Sequence, residues 1–252
     1  MTQSSTQVNF AAIVHYLIEL RSRLIRSLFI LIIFFAVFSY YANTLYSWLA
    51  APLLRFLPQG HLIATEIVSP FFVPFKVAFL AAFLLTIPFL LYQLWAFVAP
   101  ALYGHERKLV WPFLLVSTCL FYAGIAFAYF VIFPMLFHFL SHVAPQGVVV
   151  SPDISEYFDF TTKLLLIFGA LFEIPIIMVL LTSTGLVTRE RFVKWRSYAI
   201  VGAFILGMLL APPDVMSQTI LAIPIWLLYE LGLLMSRFIG KANRKPDEQK
   251  IK

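Results

Sequence analysis

A chain of 252 residues is long enough for one or two soluble domains, but 62% of it is apolar and only 12% is charged, against about 45–50% and about 25% in an ordinary globular protein. So few charges cannot cover a soluble sphere of this size, and the same composition excludes a disordered chain, a collagen and a disulfide scaffold. The formal charge of +6 and the 27 phenylalanines point instead to a membrane protein with basic loops.

Taken in chain order, residues 1–12 are polar and expected to be loose. Residues 13–26 read as an amphipathic cytoplasmic helix. Ile13, Leu17, Leu20 and Leu24 share one face, and His15, Glu19, Ser22 and Arg26 the other. A spanning helix needs about 20 mostly apolar residues. Six candidates follow, at approximately 27–49, 71–98, 110–136, 160–182, 198–211 and 219–235. The second is long enough to tilt or project. The fifth and sixth are short, the fifth reaching only about 21 Å, which requires shielding or a thinned bilayer. These two could merge into one re-entrant hairpin, but Pro212-Pro213-Asp214 argues for a turn between them. The loops at 50–70 and about 140–158 are too long for tight turns and are expected to form ordered caps. Residues 237–252 form a basic tail. Cys119 is the only cysteine, so it can form no intramolecular bridge, and an inert packed thiol is expected.

Basic residues set the orientation. Arg21, Arg23 and Arg26, then Arg107 and Lys108, then Arg189, Arg191, Lys194 and Arg196, then the tail from Arg237 onward all fall on one side. The opposite loops carry only Arg55, with Lys76 and Lys163 just inside spans. Both termini are therefore expected in the cytoplasm, with residues 1–252 forming a single polytopic all-α membrane domain. Ile87-Pro88, Ile174-Pro175 and Ile223-Pro224 place a proline inside each even-numbered span. Coherent kinks there would shape a concave bundle, although proline is also common in membrane helices for no functional reason.

Nothing in the sequence suggests an enzyme. HExxH, GxSxG and P-loop patterns are missing. His138 and His142, one turn apart, read more simply as an interfacial pair than as a metal site. No cofactor or metal is expected, and no compact basic domain exists for nucleic acid. Glu173 stands out because a charged carboxylate in mid-bilayer costs roughly 2.5–3.5 kcal/mol. It is either a polar docking point or proton-linked site, or a structural hydrogen bond to a neighbouring helix. Glu19 and Glu106 are acids on a basic face. Each could be a plain local charge, Glu19 pairing with Arg23 one turn on. Together they could also hold guanidinium groups by forked, charge-assisted hydrogen bonds. Glu230 near Arg237 reads as structural, and Asp214 as a helix N-cap, with Gln218 beside it.

Several segments together resemble one family. They are His15-Tyr16-Leu17-Ile18-Glu19-Leu20-Arg21-Ser22-Arg23-Leu24, Ala51-Pro52-Leu53, Ser69-Pro70-Phe71-Phe72 and Trp95-Ala96-Phe97-Val98-Ala99-Pro100-Ala101-Leu102-Tyr103 with His105-Glu106-Arg107. Ala126-Phe127-Ala128-Tyr129-Phe130, Phe172-Glu173-Ile174-Pro175 and Gly207-Met208-Leu209-Leu210-Ala211-Pro212-Pro213-Asp214 continue the series. In this order, over nearly the whole chain, they resemble the TatC family, the multi-spanning receptor subunits of twin-arginine protein translocases.

The resemblance implies a bacterial inner-membrane protein that binds twin-arginine signal peptides at the cytoplasmic face. With single-span TatA-like and TatB-like subunits, in a self-associating complex, it would move folded cargo proteins across the membrane on the proton-motive force. It implies signal-peptide binding at Glu19, Arg21, Glu106 and Phe97. It also implies contact with partner helices at Glu173, and outer-loop roles for Pro52, Asp214 and Gln218. Gly104 replaces a commonly longer side chain in the Glu106 loop. The competing readings are a solute transporter, an intramembrane enzyme and a structural scaffold. The first lacks a charged midplane path, and the second lacks a nucleophile or metal site.

Overall fold

A computed structural model describes residues 3–54, 62–102, 110–143, 153–211 and 214–240. They form α1 (Gln3–Tyr40), α2 (Ala42–Leu54), α3 (Ser69–Leu102), α4 (Val110–Phe127), a π-helical turn (Ala128–Ile132), α5 (Phe133–Val143), α6 (Ile154–Leu171), α7 (Ile174–Ser183), α8 (Arg189–Lys194), α9 (Arg196–Leu210) and α10 (Val215–Gly240). Among the described residues, five stretches are long and apolar enough to cross a membrane: Arg21–Tyr40, Ser69–Phe97, Trp111–Phe139, Ile154–Ser183 and Val215–Arg237. The apolar helix Arg196–Leu210 is shorter.

Local chemistry sets the boundaries. No proline or glycine occurs between Gln3 and Tyr40, so α1 starts at Gln3 and absorbs both the expected loose segment and the amphipathic helix. The expected first span is divided at Tyr41. The Ser39 hydroxyl bonds the Phe35 carbonyl at 2.8 Å, and the Tyr41 amide turns back to Phe38 at 3.0 Å. Such side-chain back-bonding bends helices. Of the three Ile-Pro steps, only Ile174-Pro175 interrupts a helix, and α3 and α10 run through Pro88 and Pro224. Pro175 has no amide to offer the Leu171 carbonyl, and the chain turns at Phe172–Glu173 before α7 begins.

Pro134 produces a different adjustment. Lacking a donor for the Phe130 carbonyl, it follows a widened turn in which the Phe133 amide bonds the Ala128 carbonyl five residues back.

The expected short sixth helix is corrected. α10 has 26 residues and is long enough to span. Its polar first turn is held by Asp214, whose carboxylate accepts from the Ser217 amide at 2.7 Å, so the helix starts before its apolar run does. α9, with 15 residues, remains short at about 22 Å. Cys119 is exposed rather than packed.

The chain divides into two compact units, Met1–Ser47 with Pro74–Leu114 and Trp48–Val73 with Leu115–Lys252. In the first, Phe35 of α1 meets Phe79 of α3 edge-on at 5.8 Å, and Trp95 stacks on Phe113 at 5.6 Å. Leu24, Ile25, Leu28, Phe29 and Ile32 of α1 are exposed, as expected of a helix whose apolar side faces lipid. In the second unit, Phe133, Phe158, Phe168, Leu164 and Leu221 are fully buried. Small residues allow the close approaches. A Cβ on Gly124 of α4 would lie 2.5 Å from the Phe168 carbonyl oxygen of α6, and one on Gly207 of α9 would lie 2.9 Å from the Gln218 carbonyl oxygen of α10.

One polar clasp joins the two loop regions of this unit. Asp153 caps α6 through the Ser155 and Glu156 amides. It also accepts from the Thr65 hydroxyl at 2.7 Å and the Thr65 amide at 2.8 Å, while the Ile154 amide bonds the Ile63 carbonyl at 2.9 Å. The Thr65 hydroxyl, then the Thr65 amide, hold the Asp153 carboxyl down at about 2 from an ordinary 3.8, with the α6 amides adding to the effect.

Two tests follow from this packing. Gly207→Val should force α9 from α10 and cost about 1–3 kcal/mol, seen as a lower unfolding temperature in detergent. Gly202→Ala, with open space around its Cβ, should hold or raise that temperature. The Asp153 contribution is fully present above the unfolded value of 3.8 and is lost as pH falls through about 2. Wild-type unfolding temperature should therefore drop across that window more steeply than that of Asp153→Asn, which should already be less stable at neutral pH.

Candidate functional site

Glu19 and Arg23 lie one turn apart on α1. The Arg23 guanidinium binds one carboxylate oxygen of Glu19 twice, from Nε at 3.1 Å and from Nη2 at 2.6 Å. Nη1 donates to the side-chain oxygen of Gln93 on α3 at 2.9 Å. Nη2 also reaches the Ala96 carbonyl at 3.5 Å. The fork of Arg23 thus fastens the start of the apolar part of α1 to the last turns of α3, and Glu19 is carried with it. Ser27 supports the arrangement by bonding the Arg23 carbonyl at 3.0 Å. Glu19 keeps 35% side-chain exposure against 20% for Arg23, so the acid remains reachable while its partner is more enclosed. Both Arg23 bonds fall on Oε1, which leaves Oε2 of Glu19 without a partner among the described residues.

The other expected binding residues divide. Arg21 is exposed on α1, and Phe97 is half-buried near the end of α3. Glu106 lies outside the described residues, and for Pro52 only its place in α2 is described. The pairing of Glu19 with Arg23 follows from their spacing. Gln93 was missing from the sequence reading, because a contact across 70 positions leaves no local periodicity to find.

Glu173 sits at the α6–α7 turn, 8% exposed. It accepts a hydrogen bond from the Ser117 hydroxyl of α4. Its other oxygen, Oε1, is buried and without a partner among the described residues. The turn before Pro175 presents the side chain toward α4, where Gly124 permits the helices to meet. Glu173 is therefore bonded to a neighbouring helix and still has one buried acceptor open. Ser117 was not singled out in the sequence.

Asp214 is the N-cap of α10, as its position suggested. Gln218 performs a related task, its side-chain amide donating to the Phe204 carbonyl of α9 at 2.9 Å. Both hold the α9–α10 hairpin. Glu230 pairs with Arg196 at the start of α9, at 2.7 Å, rather than with Arg237. Among the described residues, no group of three or more His, Cys, Asp or Glu side chains could hold a metal ion. The arrangement as a whole offers recognition through charged hydrogen bonds and buried polar contact between helices.

Known proteins match this architecture. A family model described as "Sec-independent protein translocase protein (TatC)" matches residues 15–224. The Sec-independent protein translocase protein TatC of Haemophilus influenzae is 48% identical over 241 residues, covering 95% of this chain and 93% of that protein. That of Escherichia coli K12 is 50% identical over 237 residues, covering 93% and 92%. A crystal structure of the twin arginine translocase receptor TatC is 37% identical and superposes with a TM-score of 0.80, covering 89% of this chain and 99% of that one. The chain therefore belongs to the TatC family, as a multi-pass membrane component of a protein-transport machine and not an enzyme.

Proposed function

We propose that the chain is the signal-receiving subunit of a twin-arginine translocase in a bacterial cytoplasmic membrane. It binds signal peptides with paired arginines through Glu19 and Glu106, flanked by Arg21 and Phe97. It assembles with single-span TatA-like and TatB-like subunits, and with copies of itself, and the complex moves folded cargo using the proton-motive force. Both termini are cytoplasmic and the chain crosses six times as one polytopic domain, in keeping with the one-sided distribution of arginine and lysine.

The observation that carries the reading is the Glu19–Arg23–Gln93 arrangement. An ion pair with one member more than a third exposed is worth only about 0–1 kcal/mol. An incoming guanidinium can therefore share or exchange Glu19 at little cost. Arg23 meanwhile stays anchored to Gln93 and keeps the acid in place. A planar fork fits such a carboxylate in a way that a point-charge ammonium does not. Glu106 supplies the second acid in this reading. The open buried oxygen of Glu173 supports a role in receiving a polar group from a partner helix. The short α9 supports local bilayer thinning where partners assemble.

A twin-arginine peptide should bind the purified protein about tenfold or more tightly than its twin-lysine counterpart, since hydrogen bonds to charged groups contribute roughly 1.5–3 kcal/mol. Glu19→Gln should abolish most of that preference. Equal binding of both peptides to wild type would refute the receptor reading. Extending α9 by a turn of leucines should reduce cargo transport and partner crosslinking together. If both stay at wild-type level, the thinning role is wrong.

A further inference from the structure

A cleft of about 450 Å³ lies where α8 and α9 begin and α10 ends, and Arg189, Arg196, Glu230 and Arg237 share its lining with leucines of α10. Its lining includes neither Glu19 nor Glu173. Glu230 is engaged with Arg196 at 2.7 Å, so the carboxylate offsets that arginine, and Arg189 and Arg237 remain as the cationic part of the lining. The Nε of Arg189 is buried and has no hydrogen-bond partner among the described residues. A buried guanidinium donor left unbonded is costly, so this atom is open to an acceptor from beyond the described residues.

The rest of the wall is apolar. Leu227 and Leu231, one helical turn apart on α10, are 53% and 48% exposed. They form a strip that runs along a membrane-spanning helix toward the Arg237 end. A ligand that fills this cleft needs an anionic, multiply accepting head and a hydrocarbon body.

We propose that the cleft binds an anionic phospholipid, its phosphate seated on Arg189 and Arg237 and an acyl chain lying along Leu227 and Leu231. A free phosphate would leave the leucine strip uncovered. A zwitterionic lipid would bring its ammonium against a net positive lining. Arginine suits the phosphate because its fork matches two oxygens at once, and the negative potential of anionic lipid headgroups draws them to basic residues at the membrane surface.

The test is native mass spectrometry of the purified full-length protein, delipidated and then offered equal amounts of phosphatidylglycerol and phosphatidylcholine. Wild type should retain phosphatidylglycerol preferentially. Arg189→Gln with Arg237→Gln should lower that retention at least about fivefold and leave phosphatidylcholine unchanged. Arg237→Gln alone changes an exposed side chain, so it leaves the fold intact and should show a smaller loss in the same direction. Leu231→Asn should weaken retention with no change in charge, and millimolar inorganic phosphate should not displace the lipid.

Equal retention of the two lipids by wild type would overturn the proposal, as would undiminished phosphatidylglycerol retention by the double variant. Displacement by inorganic phosphate would reduce the cleft to a simple anion site. Equal lipid retention combined with crosslinking of a partner-subunit helix to Leu231→Cys would assign it to a protein partner instead.

Discussion

A polar group placed on an apolar helix has to find its partner inside the protein, because lipid offers none. That constraint decides most of what is specific in this structure. Many hydroxyls satisfy it locally. Thr86 bonds the Ala82 carbonyl and Thr182 the Met178 carbonyl, each one turn back on its own helix. The groups too long or too charged to do so reach across instead. Ser117 meets Glu173, Gln218 meets the Phe204 carbonyl, and Arg23 meets Gln93. Those cross-helix bonds determine which helices pair and in what register, since apolar packing alone would tolerate many arrangements.

The two central acids answer the same constraint in opposite ways. Glu173 is enclosed, bonded to one hydroxyl and left with a buried open oxygen. Removing or adding a partner there carries a large penalty or gain, which suits a contact that forms once during assembly. Glu19 is partly exposed and held by an arginine that is itself fastened to α3. Its pair is weak enough to be exchanged and oriented enough to discriminate, which suits a ligand that must bind and later leave. In the proposed function it is burial, more than residue type, that would separate the docking point from the receptor group.

Much of the architecture was legible in the composition. The apolar runs mark the spans because nothing else in a 252-residue chain explains 62% apolar content. The Glu19–Arg23 pair and the Asp214 cap were legible because both join residues no more than four positions apart. What escaped was of two kinds. Helix lengths read from hydropathy alone were misplaced: α10 runs from Val215 to Gly240 around the expected span 219–235, and α1 ends at Tyr40 with no proline or glycine to mark the break. Contacts between distant segments were invisible, among them Gln93 with Arg23, Thr65 with Asp153 and Arg196 with Glu230. A single sequence carries the need for a partner at such a residue but not the partner's address.

In the proposed function, Gln93 acts on recognition only through the acid that Arg23 positions. A double-mutant cycle measures this directly, using the affinity of a twin-arginine peptide for wild type, Glu19→Gln, Gln93→Leu and the double variant. Gln93→Leu should weaken binding several-fold when Glu19 is present and have almost no further effect once Glu19 is Gln. Losses that simply add would mean that the two side chains act independently and that the arrangement around Arg23 is structural alone.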